Sequence, residues 1–232
     1  MEHSNHCRLD NPTWNALVTK QSSLAQGTEL ARRYEADVAP FAGVANTTQA
    51  AFHALASIIP QGGFVFLPSL EALPPMDGIH HDHVFSVIQM VDAGSVGGLN
   101  EDGVVQLDAN DVPAMIALTE RTRPGPFGKR TIEMGNYIGI RADGELIAMA
   151  GERMRLDGYV EISAVCVDER HRGKWLAGRL MNILRQQIKA RGDTPFLHVK
   201  EDNETAIALY KRMGFETRQT FVMNRVAVIP QR

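Results

Sequence analysis

The sequence predicts an α/β (α+β) fold in which a mixed, mostly antiparallel sheet is flanked by helices. Three observations predict it. Two Asp-Gly pairs, Asp143-Gly144 and Asp157-Gly158, each separate apolar, strand-like runs, the pattern of tight hairpins whose central residues take positive φ. An apolar run at 161–167 passes through Arg172-Gly173-Lys174 into a segment with Leu176, Leu180, Ile183 and Leu184 at helical spacing. A short strand at 195–199 and a second amphipathic helix then follow, so helices and strands alternate.

The chain has 232 residues, 44% of them hydrophobic, enough for one large domain or two small ones with real cores. A Gly-rich, acidic stretch at 92–103 divides it into an N-terminal α/β region, 1–100, and a second region, 101–232. The formal net charge of -3 argues against a general nucleic-acid binder or a binder of anionic membranes. Cys7 and Cys166 are too few for a disulfide framework and read as free thiols in a reducing, cytoplasmic compartment. The N-terminus lacks a secretory pattern, and the uncharged run 38–70 is broken by Pro40, Pro60, Gly62-Gly63 and Pro68, so no membrane span is expected.

Taken in order, residues 28–35 carry a modest helical pattern, and 50–59 form a better helix stopped by Pro60. Runs at 64–67 and 84–91 read as strands. Between them, His80-His81-Asp82-His83 places four potential metal ligands in consecutive positions. An exposed polar loop suits that pattern better than a metal site, because neighbouring strand residues point to opposite faces and loop residues have no fixed geometry. A strand at 104–107 precedes a helix opened by Asn110, Asp111 and Pro113 and ended near Arg123. Three antiparallel strands follow at 137–141, 146–156 and 159–167. The helix 173–190 is capped by Gly192, and Pro195 suits the start of the next strand. The last helix, capped by Asn203, is expected to bury Ala206, Leu209, Tyr210 and Met213, and strands at 215–221 and 223–228 close the sheet.

The strand E-I-S-x-V-x-V from Glu161, the turn R-G-K-x-x-A from Arg172, and N-x-x-A-x-x-L-Y-x-x-x-G-F from Asn203 to Phe215 resemble the GCN5-related N-acetyltransferases (GNAT), in particular their FR47-like branch, over roughly 104–228. The resemblance implies the acyl-CoA N-acyltransferase fold, with 1–100 read as a worn second copy that lacks both motifs. It implies acetyl-CoA as cosubstrate, a primary amine of a small or amino-acid-like molecule as acceptor, and no metal. In the family a splay beside the strand equivalent to 161–167 lets the pantetheine arm pair with backbone groups, which here belong to Val165, Cys166 and Val167. The pyrophosphate would rest on the turn formed by Arg172, Gly173, Lys174, Trp175, Leu176 and Ala177. Elementary physics supports that placement, because unpaired N–H groups and the macrodipole at a helix start attract anions. Asn203 would cap its helix and touch the coenzyme, and Tyr210 would protonate the departing thiolate.

One position departs from the family pattern, and another is open to two readings. The family usually has Gly where this chain has Trp175, whose indole either covers the coenzyme or obstructs it. Glu161 lies where some members of the family keep a carboxylate that takes the amine's proton, directly or through water, or it could pair with Arg153 or Arg155 across the strands. Arg123, Phe127 and Glu133, on the segment that usually walls the acceptor pocket, are candidate acceptor contacts. The rival to catalysis is a non-catalytic acyl-CoA-binding or structural module. A DNA-binding role has neither the charge nor a recognition helix to support it.

Overall fold

The computed structural model describes residues 6–97 and 100–229. In chain order its elements are α1 (Pro12–Val18), β1 (Ala25–Gly27), β2 (Ala31–Tyr34), β3 (Ala42–Val44), α2 (Gln49–Ile58), β4 (Val65–Ser69), β5 (Ile79–Asp92) and β6 (Val104–Gln106). Then come α3 (Val112–Thr122), β7 (Tyr137–Ala142), β8 (Glu145–Leu156), β9 (Tyr159–Val167), α4 (Leu176–Ala190), β10 (Thr194–Lys200), α5 (Glu204–Arg212) and β11 (Phe215–Val228). Asp143 (φ 49°) and Gly144 (φ 81°) close the β7–β8 hairpin, and Gly158 (φ 82°) closes β8–β9, as the Asp-Gly pairs predict.

Eight strands form one sheet in the order β4-β11-β5-β10-β9-β8-β7-β6, antiparallel throughout except where β9 meets β10. The division near residue 100 is not a division of this sheet, since β4 and β5 from the first hundred residues pair with β10 and β11 from the last forty. On one face α4 sets Leu180, Met181, Ile183, Leu184 and Ile188 against Ile138, Ala148, Ala150, Val160 and Ile162. On the other face α3 covers Tyr137, Met149, Ala164 and Cys166, and residues from 9 to 41 cover Met154, Phe196, Phe221 and Met223. A buried ion pair ties the layers together: Arg185 of α4 donates to Asp92 at the end of β5 at 2.8 and 2.7 Å, and Lys189 lies 3.0 Å from the same carboxylate.

Several expectations are corrected. Residues 28–35 are not helical: Thr28 N–H donates to Ala31 O at 2.8 Å in a turn, and β2 pairs with β1 and β3, so cross-strand bonding overrides a weak local pattern. The His80–His83 cluster is strand rather than loop, paired with 224–227 of β11, and alternation splits its side chains between the two faces. No metal-binding group is found among the described residues. The final strands are one 14-residue strand, β11, carrying irregularities at Thr217/Gln219 and Met223/Asn224 that let it bend without ending. No helix of the described residues is long and apolar enough to cross a membrane.

Candidate active site

The site begins where two parallel strands part. β10 pairs with β9 only at Thr194↔Tyr159, Pro195↔Val160 and Phe196↔Glu161, so residues 162–167 have no partner on that side. On the other side β9 carries a bulge. Met149 faces Cys166 and Gly151 faces Ser163, which leaves Ala164 and Val165 opposite Ala150 alone, with Ala164 at φ 52°. The extra residue reverses the alternation. Glu161 and Ser163 therefore lie on one face, while Val165 and Val167 join the α4 face, so Glu161 does not share a face with Val165 and Val167 as simple period-two counting had it.

The splay opens into a cavity of about 830 Å³ lined by Ser163, Val165, Cys166 and Val167 of β9 and His198, Val199 and Lys200 of β10. Its wall includes Arg172, Gly173, Trp175, Leu176 and Ala177 at the start of α4, and Asn203, Ala206, Leu209 and Tyr210 around α5. Lys174 is exposed and is not part of that wall. Gly173 (φ 78°) and Trp175 (φ 59°) are both left-handed, which explains why glycine is the economical residue at each. The indole is 51% exposed and leans over Gly178, where an added Cβ would come within 2.5 Å of Trp175 Cε2. It thus folds back on the helix start without filling the cavity. Burial pushes the Cys166 thiol up to about 11, so this cysteine is a wall and not a nucleophile.

Asn203 caps α5, its side chain accepting from Ala206 N–H at 3.1 Å. The stripe of α5 is less buried than its spacing suggests: Ala206, Leu209 and Tyr210 are half-buried because they face the cavity, and Met213 alone is core. Burial pushes the Tyr210 phenol up to about 12, so it is fully protonated near neutrality.

Glu161 is fully buried and does not reach the cavity. Arg153 donates to it twice, at 2.8 and 2.5 Å, and His198 Nδ1 lies 2.7 Å away. Burial alone would raise this carboxyl, but the Arg153 charge and the hydrogen bonds from Arg153 and His198 outweigh it and hold it at about 2. Such a group is a poor base, so the cross-strand pairing describes it and direct proton abstraction does not. Glu133 is likewise engaged, accepting two bonds from Arg130 at 2.7 and 2.9 Å outside the cavity wall. Phe127 packs edge-on against Tyr137 at 5.7 Å, also outside it, whereas Arg123 does line the cavity.

This geometry has counterparts. The family model of FR47-like proteins matches residues 137–224. The crystal structure of a GNAT-family protein from Novosphingobium aromaticivorans superposes with a TM-score of 0.88, at 35% identity, over 96% of this chain and 99% of that one. The chain belongs to the GNAT family. Among curated GNAT relatives, the N-alpha-acetyltransferase RimI of Mycobacterium tuberculosis is 33% identical over 97 residues, 40% of this chain and 60% of RimI. The mycothiol acetyltransferase of Streptomyces avermitilis is 28% identical over 115 residues, 49% of this chain and 37% of that protein. The chain therefore spans between about a third and two thirds of the length of these two GNAT relatives. In this GNAT chain the first hundred residues supply Phe41, Phe66, Phe85 and Val87 to the cavity wall. Sequence reasoning missed those residues, together with His198 and Met223, and placed Arg153 only as a partner of Glu161. The one available signal was the uncharged, Phe-containing run 38–70.

Proposed function

We propose that the protein is an acetyl-CoA-dependent N-acetyltransferase that moves an acetyl group to a primary amine by direct attack within a ternary complex. The observation that carries the reading is a single cavity in which the helix-start turn of α4, the unpaired edge of β9 and the Tyr210 phenol all meet. The turn supplies N–H groups and Arg172 for a pyrophosphate. The unpaired stretch of β9 supplies backbone groups for an amide-bearing pantetheine arm, with Val165, Cys166 and Val167 in contact, while Asn203 and Tyr210 border the same arm. The amine nitrogen attacks the thioester carbonyl carbon, the carbon–sulfur bond breaks, and Tyr210 gives its proton to the leaving thiolate. Because Glu161 is held ionised behind Arg153 and His198, we assign it to positioning these two side chains, and the amine loses its proton to water in the cavity. The same reading puts the reaction in the cytoplasm, where free thiols such as Cys7 and Cys166 persist.

The test has two parts. Calorimetric titration with CoA should give saturable binding that Gly173→Asp weakens, and thiol release from acetyl-CoA should depend on added amine. Binding without amine-dependent release from a broad panel would favour the non-catalytic acyl-CoA-binding reading.

A further inference from the structure

The part of the cavity wall built by the first hundred residues is aromatic. Phe41, Phe66 and Phe85 form a chain of tilted rings with centroids 6.1 and 6.3 Å apart, and Pro68, Met223 and Phe85 stand in one row across β4, β11 and β5. Two cations lie on these rings. The Arg153 guanidinium sits 4.9 Å from the Phe41 centroid, and the Lys200 ammonium 4.8 Å from that of Phe85. Among the described residues, no aspartate or glutamate lines the cavity. Arg153 spends Nε and Nη2 on Glu161, and among the described residues its Nη1 has no hydrogen-bond acceptor, although the side chain borders the cavity.

His198, beside these groups, has no spare acceptor. Arg218 Nη1 donates to Gln89 Oε1 at 2.9 Å, which fixes the orientation of that amide. Gln89 Nε2 then faces Leu9 O at 3.0 Å and His198 Nε2 at 3.2 Å, so His198 accepts at Nε2 and donates from Nδ1 to Glu161. The imidazole is thus spoken for on both nitrogens.

Resting on the acetyltransferase reading, we propose that the acceptor is an amine that also carries an apolar or aromatic side chain and a carboxylate, in the manner of a hydrophobic amino acid. The aromatic wall takes the side chain, and Arg153 Nη1 and Lys200 take the carboxylate. Polyamines find no carboxylate among the described lining residues to neutralise them. The same cations favour loss of the amine's own proton before attack, which offsets the absence of a carboxylate base in the cavity.

The experiment compares thiol release from acetyl-CoA by the full chain with L-phenylalanine, L-methionine, phenethylamine and spermidine, with CoA binding measured in parallel. The expected result is a kcat/KM for L-phenylalanine or L-methionine at least about tenfold above phenethylamine, which lacks only the carboxylate of L-phenylalanine, and no turnover of spermidine. Turnover of spermidine or phenethylamine equal to that of the amino acids would overturn the acceptor assignment and leave the acetyltransferase reading standing. So would CoA binding with no turnover of any of the four. Failure to bind CoA at all would remove both. A Phe85→Asp variant gives a second readout, because a carboxylate in the wall should lower amino-acid turnover and admit spermidine, whereas an unchanged preference in a folded variant counts against the proposal.

Discussion

Tyr210 lies on a helix face whose spacing is that of a packed core, and in the proposed reaction its hydroxyl is the acid. Its ring stands against Phe215 at 6.1 Å, and burial raises the phenol, which keeps it protonated near neutrality and makes it a weaker donor than a free phenol. Tyr210→Phe keeps the ring and removes one oxygen. Turnover should fall by about two to four powers of ten while CoA affinity and melting temperature stay close to those of the parent, as measured by steady-state kinetics, calorimetry and thermal melts. Trp175 gives a different kind of prediction. A tryptophan at φ 59° is strained, so Trp175→Gly should leave the start of α4 no less stable. The residue is part of the cavity wall, and its emission should change when CoA binds. That change should vanish in the variant even though Trp14 remains, and CoA should bind equally or more weakly.

The start of α4 is legible in the sequence because Arg172-Gly173-Lys174 follows an apolar strand, and Gly173→Asp should weaken CoA binding by putting a side chain and a negative charge where N–H groups converge. Calorimetry on the folded variant checks this. The three central strands were equally legible, since each Asp-Gly pair dictates a local turn. What lay beyond reach was anything fixed by a partner distant in sequence. The bulge at Ala164 has no marker in E-I-S-A-V-C-V, because alanine is not a residue that favours positive φ, and the alternation therefore reversed unseen and parted Glu161 from the face of Val165 and Val167. Likewise, β2 has too few residues to override a helical pattern by composition, and it becomes a strand through β1 and β3 on either side. The aromatic wall was missed for the same reason: Phe41, Phe66, Phe85 and Met223 come together only when four separate segments are paired.

Those pairings bind the first and last parts of the chain into one cooperative body, and buried charges record the cost of error. Asp92→Asn would leave Arg185, 1% exposed, with a neutral partner, and urea unfolding should show a loss of about 3–5 kcal/mol. Glu161 ties stability to pH. Its folded pKa of about 2 lies below the ordinary carboxylate value, so its contribution is complete above about 4.5 and is lost as pH falls toward 2. Glu161→Gln should be less stable at neutral pH and should show a flatter decline across that acid window. The sheet order has a further consequence, in time rather than energy. β5 pairs with β10 and β11 on its two sides, Val91 with Phe196 and Ile79 with Val228, contacts more than a hundred positions apart. During synthesis this 14-residue strand emerges from the ribosome with both edges bare and waits for partners not yet made, a long-contact-order step that invites pairing with another nascent chain. The His80-His81-Asp82-His83 run sits on that waiting strand and gives it polar groups that discourage such pairing. Replacing exposed Asp82 and His83 by valine should therefore change the melting temperature little while lowering the yield of refolding at high protein concentration.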